Sequence, residues 1–276
     1  EKRMKESGHL AHGSIVNLRS AYTKWCRRLH NMPYRDIRAH MMQECINSAV
    51  GHVVGNQVRT LFVGLDRLAM EFDIIDKKYS DVTRGVAFVH KKDRAVFSDA
   101  EVSRLWANAE EPWVDTILIL LYSGWRVTEL LKMRITDIDM ANNTMRGGVK
   151  TAAGKDRIVP IHSATLPLIK QRYAGGINYI IEHKGRKVSY ASYRERFIDA
   201  MNRLGMNHTT RDTRRTLRTW LDRASAPFAC ANRIMGHTCK DIGLQVYTIK
   251  TVEELRATIE LVKADSHKYG GGVNNT

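Results

Sequence analysis

Apolar positions early in the chain recur at steps of three and four. Ile15, Leu18, Tyr22, Trp25 and Leu29 form one such stripe, and Leu61, Leu65, Leu68 and Phe72 form another. That period is one face of an α-helix, so the front of the chain is predicted to be a small helical domain. A charged stretch without period, Asp76 to Arg94, interrupts the pattern and reads as a linker over about 76–96. The helical period resumes at Val102, Leu105 and Trp106, just after Ser98-Asp99-Ala100-Glu101. A serine followed three residues later by a glutamate can satisfy free amides of a first helical turn, so a second domain is predicted to begin near Phe97. Asn142 to Ile161 differs. Glycines and small residues followed by the β-branched run Arg157-Ile158-Val159-Pro160-Ile161 predict strand, turn, strand. From Ser163 the pattern is mostly helical. Val252, Leu255, Ile259 and Val262 make a last apolar face, opened by Thr251 and Glu254 as a second capping box. That face suits docking on a neighbouring copy of the chain as well as packing on its own domain. The expected division is a helical domain over 1–90, a second domain over 97–262 and a flexible, glycine-rich tail over 263–276.

Composition narrows the class of partner. With 43% hydrophobic residues the chain can bury a core, which excludes overall disorder. Lys and Arg number 44 against 29 Asp and Glu, a formal net charge of +15, and a surplus of that size points to nucleic acid. Arg19, Lys24, Arg27, Arg28, Arg35, Arg38, Arg59 and Arg67 lie between and around the front stripes and give that domain a basic surface. The longest apolar run, Thr116 to Tyr122, is far too short to cross a membrane, so no membrane partner is expected. The chain opens on Glu1 rather than Met, without a signal-peptide pattern, and residues upstream are expected. Cys26, Cys45, Cys230 and Cys239 have no C-x-x-C spacing, which suits reduced thiols in a cytoplasm. Cys230, His237 and Cys239 are close in sequence but lack a fourth ligand, so neither a metal nor a cofactor is expected.

Four segments hold candidate chemistry. YSGWRVTEL (Tyr122 to Leu130) ends an apolar helix at Ser123-Gly124 and places Arg126 three residues before Glu129, within reach along a helix face. VKTAAGKDRIVPI carries Lys150 into the predicted turn. HTTRDTRRTLRTWL (His208 to Leu221) is dense in arginine, and GHTCKDIGLQVYT (Gly236 to Thr248) holds His237 and Tyr247. Taken singly, each has an ordinary reading: a surface ion pair, a solvated lysine, nonspecific phosphate contacts, a capping histidine and a core tyrosine.

In this order the four segments resemble the tyrosine recombinases, the phage-integrase type. SGWRVTEL looks like the first arginine box, KT…GKDRIVPI like the β-hairpin lysine segment, RDTRRTLRTWL like the second arginine box, and RIMGHTCKDIGLQVYT like the Leu-Gly-His box with its tyrosine. The last of these, followed by YTIKTVEELRATIELV, is most similar to integrases of conjugative transposons. The resemblance covers nearly the whole chain. It implies a mainly α fold with a small β-hairpin, a helical core-binding domain plus a mixed α/β catalytic domain. It also implies site-specific cleavage and rejoining of DNA through a 3′-phosphotyrosine, for integration or excision of a mobile element in a bacterial cytoplasm, at the nucleoid. On the same ground Tyr247 is the nucleophile, Arg126 and Arg214 clamp the phosphate, Lys150 protonates the leaving oxygen, His237 assists at the phosphate or tyrosine, and Glu129 orients Arg126. Arg19, Lys24, Arg27, Arg28, Arg59, Arg215 and Arg218 are expected contacts to the DNA backbone. The partners implied are duplex DNA gripped in a C-shaped clamp, accessory DNA-bending or directionality factors, and further copies of the chain, a monomer in solution that forms a tetramer on DNA. One position departs from the pattern. The second box normally opens with histidine, and here that place is Arg211, which can donate to a phosphate but cannot act as a base. Its nearest histidine, His208, is off register. The departure leaves two alternatives, a nicking-closing enzyme like the type IB topoisomerases and a DNA-binding relative disabled at Arg211.

Overall fold

A computed structural model describes residues 12–87, 95–148, 154–237 and 250–263. The chain divides into two compact units, Glu1–Lys92 and Asp93–Thr276. The first is helical: α1 (His12–Trp25), α2 (Ala39–Ser48) and α3 (His52–Glu71). They enclose a core of Ala21, Cys26, Leu29, Met42, Cys45, Ile46, Val58 and Phe62. The buried face of α3 is Gly55, Val58, Phe62, Asp66 and Ala69. It lies beside the stripe the spacing predicts, since Leu61, Leu65 and Leu68 are half-buried and Phe72 is exposed. On α1, likewise, Ala21 is buried while Tyr22 is open to solvent.

The front of the stretch expected to link the domains is packed instead of extended. Asp66, fully buried, accepts from the Tyr34 hydroxyl at 2.7 Å and from the Ser80 amide at 2.6 Å. Gln43 holds both the amide and the carbonyl of Arg84, at 2.7 and 3.0 Å. Asn56 donates to the Val86 carbonyl at 3.2 Å. A buried carboxylate and two side-chain amides thus strap residues 79–86 to α2 and α3, because a buried polar group must find partners. The rest of that stretch, through 94, lies outside the described residues.

The second unit is built around α5 (Val114–Ser123), every residue of which is buried except Asp115, half-buried in an ion pair with Arg172. A helix apolar on all sides has to be enclosed, and α4 (Asp99–Ala107), α7 (Leu166–Gly175), α8 (Tyr190–Arg203) and α9 (Thr210–Arg223) pack around it. The predicted capping box forms at Ser98 and Glu101, at the start of α4. Gly124 ends α5 with φ of 65°, the left-handed region that favours glycine, and a Cβ there would also crowd Leu217 at 2.8 Å. After the one-turn helix α6 (Val127–Leu130) come β1 (Ile138–Asp139), β2 (Thr144–Gly147) and β3 (Arg157–Pro160), an antiparallel sheet in the order β1-β2-β3. Met145 pairs with Val159 and Gly147 with Arg157. The predicted hairpin is present with β1 added at its edge. A second small hairpin, β4 (Glu182–His183) with β5 (Arg186–Lys187), stands where the pattern predicts helix.

Among the described residues two further helices follow: α10 (Phe228–Met235) and α11 (Val252–Ile259), the latter opened by the Thr251–Glu254 capping box. The apolar face of α11 is used within its own unit. Leu255, Ile259 and Val262 join the main core, and the helix lies on α10 and β3. His162 fastens its end. Its Nδ1 accepts from the Ala164 amide at 3.1 Å, so Nε2 carries the proton it donates to the Val262 carbonyl at 2.8 Å. Glu260 accepts from the amide and hydroxyl of Ser163 at 2.7 and 2.6 Å. Residues 264–276, expected to be a flexible tail, lie outside the described residues.

Candidate active site

The site assembles at the C-terminal end of α10. Pro227 starts this helix, and Gly236 stops it with φ of 58°. The last carbonyls of a helix have no partner within it and carry the negative end of the helix dipole. Three of them are taken by three arginines from three different segments. Arg157 of β3 donates from Nε to Ile234 O at 3.1 Å. Arg214 of α9 donates from Nη2 to Met235 O. Arg126, just before α6, donates from Nη2 to Gly236 O at 3.4 Å. Arg214 also donates from Nη1 to Gly124 O, so it bridges the ends of α5 and α10. His237 follows directly, its amide bonded to Asn232 O at 3.0 Å.

Among the described residues one carboxylate serves this cluster. Glu129 accepts from Arg126 Nη1 at 2.8 Å through Oε1, and through Oε2 from the Arg126 amide at 3.0 Å and Arg157 Nη2 at 2.8 Å. Burial pushes its carboxyl up, but the bonds and charge of Arg157, with the amide and guanidinium of Arg126, outweigh that and hold it below the usual range. Arg214 is pushed down to about 9, by burial first and then by Arg126 and Arg157, and remains a cation at neutral pH. His237 is pushed down to about 4. Its partial desolvation comes first, followed by repulsion from Arg214, Arg126, Arg218 and Arg157. The described groups of the free site therefore carry more positive charge than Glu129 cancels, beside a neutral imidazole. That is a receptor for an anion with several oxygens, because planar guanidinium forks match such groups.

Of the residues expected from the sequence, Arg126, Glu129, Arg214 and His237 are brought together. Lys150 and Tyr247 lie outside the described residues. Arg211 is on α9 but exposed, and among the described residues it makes no hydrogen bond or ion pair. Arg215 pairs with Asp212 at 2.7 Å, and Arg218 pairs with Asp222 at 3.0 Å and reaches Asn232 Oδ1 at 3.1 Å. His208 is not part of the site: its ring stacks on Phe97 at 3.8 Å and its Nε2 meets Glu101 at 3.0 Å. In the first unit Arg19, Lys24, Arg27 and Arg28 are exposed and Arg59 is half-buried. Arg157 is the residue the sequence reading passed over. A signal existed: it shares strand parity with buried Val159, and a core-facing arginine needs a buried carboxylate.

The model of the phage integrase family matches residues 95–254, more than half of the chain. The chain belongs to the phage integrase family. Solved integrase structures share its fold. A lambda integrase (75–356) dimer bound to a COC′ core site aligns with a TM-score of 0.72 at 16% identity, over 90% of this chain and 94% of that one. The Tn1549 transposon integrase (aa 82–397), in complex with circular intermediate DNA, aligns with a TM-score of 0.70 at 19% identity, over 94% and 97%. A lambda integrase tetramer bound to a Holliday junction aligns with 0.71 at 16% identity, over 87% and 76%. No curated protein matches the chain in sequence. The tyrosine recombinase architecture expected from the four boxes is thus the one observed, mainly helical with small antiparallel sheets.

Proposed function

We propose that this chain is a site-specific DNA recombinase that cuts and rejoins strands through Tyr247, for integration and excision of a mobile element. The observation that carries the reading is the anion receptor at the end of α10: three guanidiniums, one shared carboxylate and a neutral histidine. A phosphodiester gains negative charge on its nonbridging oxygens as it is attacked, and donors already fixed in place need no reorganisation to meet it. In the first step the Tyr247 oxygen bonds to phosphorus and the bond to the 5′ oxygen breaks. The leaving oxygen takes a proton from Lys150 and becomes a free hydroxyl. In the second step a 5′ hydroxyl of another strand attacks the phosphotyrosine and the tyrosine leaves. The ester energy is conserved in the covalent intermediate, so no nucleotide cofactor is needed. Arg126 and Arg214 clamp the phosphate, and Arg211 adds a solvent-exposed phosphate contact where the family usually has histidine. His237, neutral before DNA binds, accepts the tyrosine proton or donates to the phosphate once a bound anion offsets the arginine field.

The first unit acts as the core-binding domain. Arg19, Lys24, Arg27, Arg28 and Arg59 there, with Arg215 and Arg218, contact the phosphates of duplex DNA. The lambda and Tn1549 structures hold DNA, one as a tetramer on a Holliday junction, which supports DNA as the partner and oligomerisation on it, with a tetramer as the working form. Covalent trapping tests the reading. A nicked suicide duplex carrying candidate attachment sites is expected to give a protein–DNA adduct that survives denaturation and is absent with Tyr247→Phe. Tight, salt-sensitive binding to a verified site without any adduct would instead identify a disabled DNA-binding relative.

A further inference from the structure

We propose that Arg157 is a positioning residue for strand transfer: it holds Glu129 in a shared bridge, so that the Arg126 guanidinium faces the phosphate with its charge uncancelled. This rests on the recombinase reading. Arg157 cannot touch DNA itself, because its side chain is 0% exposed. Each of its three nitrogens has a different partner: Ile234 O, Gly154 O at 3.1 Å, and Glu129 Oε2. Its plane lies over the Trp125 ring, 3.9 Å from the centroid. A Cβ on Gly236 would come within 2.9 Å of its Nη1, so the glycine that ends α10 also leaves room for this guanidinium.

The consequence for Arg126 follows from counting donors on the carboxylate. Glu129 Oε2 is occupied by the Arg126 amide and Arg157, which leaves only Oε1 for the Arg126 guanidinium. Arg126 is therefore held to the carboxylate through Nη1 alone, with Nη2 on Gly236 O and its side chain still 24% exposed. Without Arg157, Oε2 loses its cation. The buried carboxylate would then satisfy itself by taking both forks of Arg126, the usual bidentate arrangement. That pair is neutral and turned away from the phosphate. A lysine could restore the charge but not three bonds in three directions.

The test compares wild type, Arg157→Met and Arg157→Lys on two suicide duplexes of a verified binding site. One has an ordinary scissile phosphate. The other has a methylphosphonate there, which lacks the charge that Arg126 meets. On the phosphate, both variants are expected to form adduct on the order of 100-fold more slowly, with DNA affinity within about threefold of wild type. On the neutral methylphosphonate the deficit should shrink to about tenfold or less, because the clamp has less charge to stabilise. An equal deficit on both duplexes would reduce Arg157 to a support of the fold, as would one that follows the thermal midpoint. An unchanged rate would also overturn the proposal. Arg157→Lys keeps the buried charge and keeps the comparison alive if the methionine variant does not fold. Inorganic phosphate titrated into the DNA-free protein, followed through the His237 ring resonances, reads the same site without catalysis. Binding is expected to weaken about fivefold or more in the variants, and equal binding sinks the idea. If wild type cleaves neither duplex, the recombinase reading fails, while the phosphate titration still decides Arg157.

Discussion

The arginines of the two units show two uses of one side chain. In the first unit Arg28 is 45% exposed and paired on the surface with Glu44, and Arg27 and Arg59 each place Nε on a single backbone carbonyl. Their charges are solvated, so each adds little to stability. Such charges can attract a polyanion without defining where its atoms sit. At the end of α10 the same residue type is buried (Arg157) or half-buried (Arg126, Arg214), and helix-end carbonyls and one carboxylate fix its orientation. Taking an ion out of water costs several kcal/mol, and the geometry must repay that. On the proposed function, position and not count separates charge that gathers DNA from charge that does chemistry on it.

Breaking the buried set should show this most strongly. Arg214→Ala removes a donor fixed by two helix ends, and single-turnover cleavage is expected to slow by about 10²–10³-fold while DNA affinity changes far less. Glu129→Ala leaves the buried guanidinium of Arg157 and the half-buried one of Arg126 without their anion. Urea unfolding should show a loss of about 3–5 kcal/mol, with cleavage falling too. Arg211 sharpens the comparison because it belongs to the site helix yet is exposed like a first-unit arginine. Arg211→Ala is expected to slow cleavage by only about tenfold, since nothing holds the group in advance.

The next effect is one of pH. The His237 imidazole should titrate at about 4 in the free protein, because burial and the neighbouring arginines disfavour its charged form. The free site should therefore show its histidine-dependent acid limb near that value rather than at the ordinary imidazole value of about 6.5. A bound phosphate supplies the missing negative charge, so the titration should move upward on DNA binding, as ring proton shifts followed against pH would report. The smallest effect belongs to the surface set. Lys24, Arg27 and Arg28 changed together to alanine should weaken binding at low salt and lower the salt slope by about one per lost phosphate contact. The cleavage rate at saturating DNA should not change.

Much of this was legible in the order of residues. The capping serine and threonine with their glutamates, the apolar run of α5 and the strand pattern around Arg157 to Ile161 are local signals, and local hydrogen bonding acts on them directly. The pairing of Arg126 with Glu129 was legible for the same reason, being a matter of three residues on one turn. Other features were not. The stripe Leu61-Leu65-Leu68 has the right period for α3, but the face that is buried lies one step over, because a period gives a face and not its neighbour. Strand β1 and the β4–β5 hairpin are two-residue elements, too short for any period to show.

The sequence by itself determined which groups exist to do chemistry: the four boxes in order, the arginine where histidine is usual, the excess of positive charge and the helix caps. Only the tertiary structure decided which arginines lose their water. Arg157 becomes part of the site, and α11 lies on its own unit, because α10 ends where β3, α9 and the start of α6 meet. The physical reason is that the groups organising the site are backbone carbonyls. Every residue carries one, so no letter of the sequence marks the three that a helix leaves open.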